Sequence, residues 1–365
     1  MNYRSITAIA AATMVLSTWP AHSTSQGEGP LRAGRDAATG QTWSPPRTPW
    51  GDPDLQGNWT NTPEFGTPFE KPAEYEGKTA EALREMVRAK LAQDASAAAR
   101  AKRLQLADDP GNSGTGNGPV WWYENLDPKN SRLWSIVDPP DGRLPPLTPD
   151  AKRRASARAE WLQRTHVPDP DAKGGYLPAG PEDLSLQDRC IQGIRMYQPS
   201  YYNNNYRVLQ IPGYVVVLYE WFHDARVIPT DGRPATGASI TQFSGISLGR
   251  WEGDTLVVET SNFSEKTAFP NASEKITLPR PNGSTLRVTE RFTRTGPDTL
   301  DYRFTAVDPT TWVKPWTAAI PLTKAGPSER IFEYACHEGN YSVPNILSGA
   351  RAVEKRLSAE KTNHK

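Results

Sequence analysis

From Arg207 to Val307 the sequence is a succession of short runs of Val, Leu, Ile and aromatic residues, each stopped within a few residues by a turn signal. Gly249-Arg250-Trp251 and Thr255 to Val258 flank Glu252-Gly253-Asp254. Leu286 to Arg294 and Leu300 to Val307 flank Thr295-Gly296-Pro297-Asp298. Such spacing predicts antiparallel hairpins. Arg207 to Ile211 and Tyr214 to His223 are apolar on both faces, which predicts strands covered on both sides. Trp312 to Leu322 and Arg330 to Glu338 are read as completing the meander. Closure removes exposed strand edges, so the pattern predicts a mainly β fold, an antiparallel barrel or a strongly curved sheet.

The barrel is expected over residues 182–342, with a helical, loop-rich section over 50–181 and a C-terminal helix and tail over 343–365. Gly57-x-Trp59 resembles the first strand of lipocalin-like barrels, where Trp plugs the closed end. Lys78 to Ala107 has a narrow apolar stripe (Leu83, Met86, Val87, Leu91) and no Pro or Gly, which predicts a helix. A second helix starts at Thr148-Pro149-Asp150, with Thr148 as cap and Pro149 at the first helical position. It runs to about His166. Val120 to Tyr123 is expected to begin an aromatic strand that leads to Leu133–Val137.

Residues 1–23 carry a positive Arg4, the apolar run Ile6 to Leu16 and small residues at Ala21-His22-Ser23, the three parts of an export signal. Residues 24–49, rich in Gly, Pro, Ser and Thr, are expected to be a flexible linker. The mature chain is expected in the periplasm or outside the cell, with no membrane anchor once the signal is removed. Lys and Arg (42) balance Asp and Glu (41), so no overall field draws the chain to nucleic acid or to an anionic membrane. In an oxidising compartment the only two cysteines, Cys190 and Cys336, are most simply a disulfide. A nucleophilic thiol beside His337 and a metal thiolate are the alternatives.

Alternation places Glu290 with Leu286, Val288 and Phe292 on the apolar face of its strand. A carboxylate there has its pKa raised by desolvation unless a cation or donors reach it. Glu290 is therefore an acid or base candidate, with a structural pairing to Arg as the plain alternative. His223, read as ending the longest strand, suits acid–base work near neutral pH. Asp224 is expected to pair with its same-face neighbour Arg226. Asn203, Asn204 and Asn205, between Tyr202 and Tyr206, offer donors and acceptors for a ligand, or simply form a turn. Trp221, Tyr206, Arg226, Arg233 and His337 complete the binding candidates, and Glu338 is a second carboxylate candidate. Cys336-His337-Glu338 lacks any metal-binding spacing, so no metal is expected. Gly-x-Ser-x-Gly, Gly-x-Gly-x-x-Gly and P-loop motifs do not occur, so no nucleotide cofactor is implied, and none of any other kind is expected.

PWGDPDLQGNWT (Pro49–Thr60), VDPPDGRLPPLTPDA (Val137–Ala151), YNNNY (Tyr202–Tyr206), HDARVIP-x-DGRP (His223–Pro234), GRWEGDTLVVET-x-NF (Gly249–Phe263), DPTTWVKPWTA (Asp308–Ala318) and YACHEGNY (Tyr334–Tyr341) together resemble a large group of exported, β-rich bacterial proteins with no assigned reaction. The likeness spans about Pro49 to Arg351. It implies an exported β protein. In that group a His often follows Asp-Gly-Arg-Pro and Asp-Ser-Arg often precedes Gly-Arg-Trp. Here Ala235 and Ile246-Ser247-Leu248 stand in those places, so any site built on those polar residues is altered.

Together these readings give three expectations. The first is metal-free acid–base catalysis of lyase, isomerase or hydrolase type on a small apolar or aromatic molecule. The second is a binding protein for a small hydrophobic ligand without chemistry. The third is carbohydrate recognition on the faces of its 12 Trp and 13 Tyr.

Overall fold

Among the described residues eleven strands form one sheet in the order Asp224–Pro229, Tyr214–Tyr219, Asn205–Ile211, Gly57–Thr60, Leu322–Lys324, Thr299–Val307, Arg287–Gly296, Thr255–Ser261, Ile246–Glu252, with Trp316–Ala319 pairing both Thr299–Val307 and Ile136–Asp138. The computed structural model describes residues 43–94, 131–170, 175–197, 199, 202–269, 278–326 and 330–363. The export signal, most of the linker, the helix beyond Asp94, the run Val120–Tyr123 and Tyr201 lie outside the described residues. The strands are β1 (Gly57–Thr60), β2 (Ile136–Asp138), β3 (Asn205–Ile211), β4 (Tyr214–Tyr219), β5 (Asp224–Pro229) and β6 (Ile246–Glu252), followed by β7 (Thr255–Ser261), β8 (Arg287–Gly296), β9 (Thr299–Val307), β10 (Trp316–Ala319) and β11 (Leu322–Lys324). All paired strands are antiparallel, and the hairpins β6–β7 and β8–β9 turn where the Gly-containing signals stand.

β5 and β6 end the sheet and lie beside one another without a hydrogen-bonded ladder, so the barrel is nearly closed. Gly249 permits this approach. A Cβ there would sit 2.9 Å from Thr230 Cγ2 and 3.0 Å from Ile228 Cγ2, closer than nearly all real Cβ contacts. β1 occupies the middle of the sheet, paired to β3 on one side and β11 on the other. Its Trp59 is fully buried and donates from Nε1 to Leu55 O at 2.9 Å.

Inward-facing aromatic rings fill the barrel. Tyr197 lies 4.5 Å from Tyr206, 4.3 Å from Tyr302 and 5.6 Å from Phe292 between ring centroids, and Phe304, Trp312 and Trp316 continue the packing. The interior is therefore a core, with rings at the tilted and edge-on geometries that aromatic pairs prefer. Strand β3 is covered only on this inner side. On the outer face of β3, Leu209 is 38% and Ile211 56% exposed, which corrects the expectation of cover on both faces there. The outer positions of β4 are half-buried, with Arg233 lying over the Tyr214 ring.

Two runs read as strands are not. The run from Tyr214 breaks after Tyr219, because Phe222 (φ 59°) and His223 (φ 50°) adopt left-handed backbone and turn the chain into β5. Its apolar composition continues because Trp221 and Phe222 pack on Tyr334. Residues 330–341 form an irregular strap, with the Phe332 N–H taken by the Glu220 carboxylate at 3.1 Å in place of a ladder partner. Cys336 is bonded to Cys190.

Among the described residues three α-helices lie outside the sheet: α1 (Ala80–Asp94), α2 (Pro149–Thr165) and α3 (Ser342–Asn363). Thr148 caps α2 as its sequence suggests, its Oγ1 accepting from Ala151 N at 3.1 Å. Among the described residues no helix is long and apolar enough to cross a membrane. At the C-cap of α2, buried His166 meets Asp183 at 3.0 Å. Burial pushes the Asp183 carboxyl up, but the bonds from His166, Gly180 N and Ala179 N outweigh it and hold the pKa below the ordinary value. A depressed folded pKa stabilises above the unfolded pKa, roughly 3.9 for Asp, and that stability is lost as pH falls through the folded value. Asp183→Asn is expected to flatten the acid limb of the stability profile below about pH 4. Urea melts at pH 3 and pH 6 check this, and equal losses at both pH values would refute it.

Candidate functional site

The residues expected to carry chemistry separate into two places. Inside the barrel, Arg226 of β5 reaches across the seam to three strands. Its Nε donates to Ser247 Oγ of β6 at 3.0 Å, and Nη2 donates to Thr260 Oγ1 of β7 at 2.8 Å. Both terminal nitrogens hold the Glu290 carboxylate of β8, Nη1 at 3.0 Å and Nη2 more closely. Tyr302 donates to Glu290 at 3.1 Å, and Tyr219 donates to Tyr197 at 2.9 Å beside the guanidinium. Glu290 is 1% exposed. Alternation thus placed it on the inner face as read, and an arginine rather than a histidine meets it there.

Burial alone would lower the Arg226 pKa, but the Glu290 charge more than offsets this and holds it well above the usual value. Burial raises the phenols of Tyr197, Tyr219 and Tyr302, so all three remain neutral donors. Over this pair lies a shallow crevice lined by Ile194, Arg195, Ser244, Thr260, Phe263 and Val288 besides the pair itself. It is too narrow to admit a water molecule. Asp224 does not pair with Arg226, as the shared face suggested. It binds Arg195, Nε to Oδ2 at 2.8 Å, since Glu290 already takes both terminal nitrogens of Arg226.

The second place is the end of β3 and β4 nearest the strap. Trp221 stacks between Tyr202 (5.7 Å, 22°) and Tyr334 (5.5 Å, 23°), and Phe222 leans on Tyr334 at 5.8 Å. All four rings are partly open to solvent. His223 is exposed beside them, and Asn203 adjoins Tyr202 with its Nδ2 buried and without a hydrogen-bond acceptor among the described residues. Beneath them Asn205 gives both its backbone N–H and Nδ2 to Glu220 Oε2, at 3.2 and 2.9 Å. Asn204 is fully buried, its carbonyl accepting from Asn61 N. Tyr206 points into the barrel and accepts from Asn61 Nδ2 at 3.1 Å.

Backbone strain gathers at this end. Of the five non-glycine residues with positive φ among those described, Asn203, Phe222 and His223 adjoin the ring stack. Cys190 (φ 57°) is bonded to Cys336, two residues from Tyr334, and only Asn262 lies elsewhere. Such conformations cost of order 1–3 kcal/mol each and persist where the surroundings over-determine them, often at ligand sites.

The remaining candidates stand apart from both places or at their margin. Arg233 binds Asp231 and lies 5.0 Å over the Tyr214 ring, at the opposite end of β4 from Trp221. His337 and Glu338 are exposed on the strap. Among the described residues no group of three or more His, Cys, Asp or Glu could hold a metal ion. Sequence reasoning did not nominate Tyr202, Phe222 or Tyr334, although a tyrosine two residues before a bridging cysteine was a usable signal for the last. Comparison with family models, with curated proteins and with solved structures finds no match to the chain.

Proposed function

We propose that this chain is an exported binding protein that recognises a ring-bearing small molecule, a sugar or an aromatic compound, on the surface formed by Tyr202, Trp221, Phe222 and Tyr334. The observation that carries this reading is the coincidence of that solvent-facing ring stack with four of the five strained non-glycine residues. Ring contacts each contribute about 0.5–1.5 kcal/mol beyond the area they bury, and an amide lacking an acceptor gains one when a hydroxyl or carbonyl arrives. Asn203 supplies that amide. The packed interior argues against a ligand held inside the barrel, and the disulfide supports export.

The test is a calorimetric titration of the mature protein with a panel of oligosaccharides and plant phenolics. Trp221→Ala is expected to weaken binding at least tenfold, while Trp50→Ala, an exposed Trp elsewhere, leaves it unchanged. Equal affinity for the Trp221 variant, or no binding across the panel, would remove this reading.

Acid–base catalysis at the same surface is the second reading. It is favoured by the exposed His223 imidazole, which has no hydrogen-bond partner among the described residues. Glu290 is committed to Arg226, which leaves Glu338 on the strap as the nominated carboxylate still open to solvent. Mass change in any panel compound with wild type but not with His223→Ala supports catalysis; unchanged compounds leave binding alone.

A further inference from the structure

We infer that the Cys190–Cys336 disulfide is a redox latch on the ring surface, whose opening by a thiol reductant frees the strap of residues 330–341 and withdraws Tyr334 from Trp221. This rests on the reading above only for its consequence for a ligand; the release of the strap stands on its own observations. The strap makes no ladder with any strand. Apart from turns within itself, its polar ties include Phe332 N to Glu220 Oε1 at 3.1 Å and Asn340 Nδ2 to Asp188 O at 3.0 Å. Phe332 is 68% exposed and Tyr341 72%, and Glu333, Ala335, His337 and Glu338 also face solvent. Fixing the backbone of so many residues costs more than the contacts of one tyrosine ring with Trp221 and Phe222 and a few hydrogen bonds at the surface or partly buried return. The covalent tie is what makes the Tyr334–Trp221 contact persistent.

The two sulfurs differ in a way that gives the opening a direction. Cys190 is buried, whereas Cys336 is partly open. Asn340 Nδ2 lies 3.2 Å from Cys190 Sγ and can donate to it. A thiolate therefore attacks Cys336 Sγ, forming a mixed disulfide there and expelling Cys190 as thiolate, which the Asn340 amide stabilises as leaving group. A second thiol displaces Cys336. Two thiols are oxidised to one disulfide, and the protein disulfide takes up two electrons and two protons to give two cysteine thiols. Since no barrel strand includes the strap, the barrel is expected to survive.

The test is hydrogen exchange of the full mature chain before and after dithiothreitol, with two free thiols confirmed by alkylation. Peptides covering 330–341 are expected to exchange at least tenfold faster after reduction, with those covering 205–219 unchanged, and a Cys190→Ser/Cys336→Ser variant is expected to match the reduced protein. Unchanged exchange in the strap, or faster exchange throughout the barrel, overturns the latch. Asn340→Ala is expected to slow reduction several-fold; an unchanged rate overturns the assigned leaving group. Should the strap loosen while neither redox form binds any panel compound, the latch stands and the ligand reading falls.

Discussion

Arg226→Ala lowers the free energy of unfolding by about 3–5 kcal/mol, because it leaves the Glu290 carboxylate inside the barrel without its cation. The same change also strips Ser247 and Thr260 of a shared donor at the seam between β5 and β6. The Arg226→Met/Glu290→Leu double variant is expected to recover most of that loss, since apolar residues of similar bulk often replace a buried pair at little cost. Urea melts of the two single variants and the double supply the cycle. A small loss for Arg226→Ala would mean that water reaches Glu290 and that the pair does not hold the seam. The same cycle bears on function: if the pair were needed for chemistry, the stable double variant would lose activity that Trp221→Ala does not affect.

Trp59→Ala is expected to cost about 3–5 kcal/mol, the range for removing a large aromatic side chain from a core. Trp59 is fully buried, its indole nitrogen is bonded to Leu55 O, and Arg294 lies 5.7 Å over its ring. Trp59→Phe keeps the ring but loses the bond to Leu55, so it is expected to cost distinctly less. If Phe were as damaging as Ala, the hydrogen bond rather than the packing would hold the N-terminal lead to the barrel. Thermal melts followed by near-ultraviolet dichroism check both.

Much of the barrel was legible because a strand writes its two faces alternately into the sequence, and turns write Gly and Asp between them. Glu290 could be put on the inner face from Val288 and Phe292 alone. Its partner could not be found that way, because Arg226 meets it only when the sheet curls until β5 comes against β6. Proximity on one strand suggested Asp224 for Arg226, but closure supplied a carboxylate from across the barrel. The ring surface was half legible. Tyr202 and Trp221 stand in one aromatic-rich stretch, whereas Tyr334 arrives through a disulfide whose effect on distant rings no local pattern records. Phe332, Tyr334 and Cys336 imitate strand alternation, yet the disulfide and Glu220 hold that backbone in a strap. The direction of His223 depended on a left-handed turn at Phe222 and His223, two residue types that give no warning of it.

The place of β1 governs how the molecule can be made. It contributes four residues near the start of the described chain, yet it joins β3 to β11, one of the last strands to be synthesised. Emerging from the ribosome, Gly57–Thr60 has no partner until β3 appears and no second partner until Leu322–Lys324 is released. Contacts so distant along the chain slow assembly, and the β3–β5 and β6–β9 segments can each form locally while they wait. The keystone of this arch is cut first and set last.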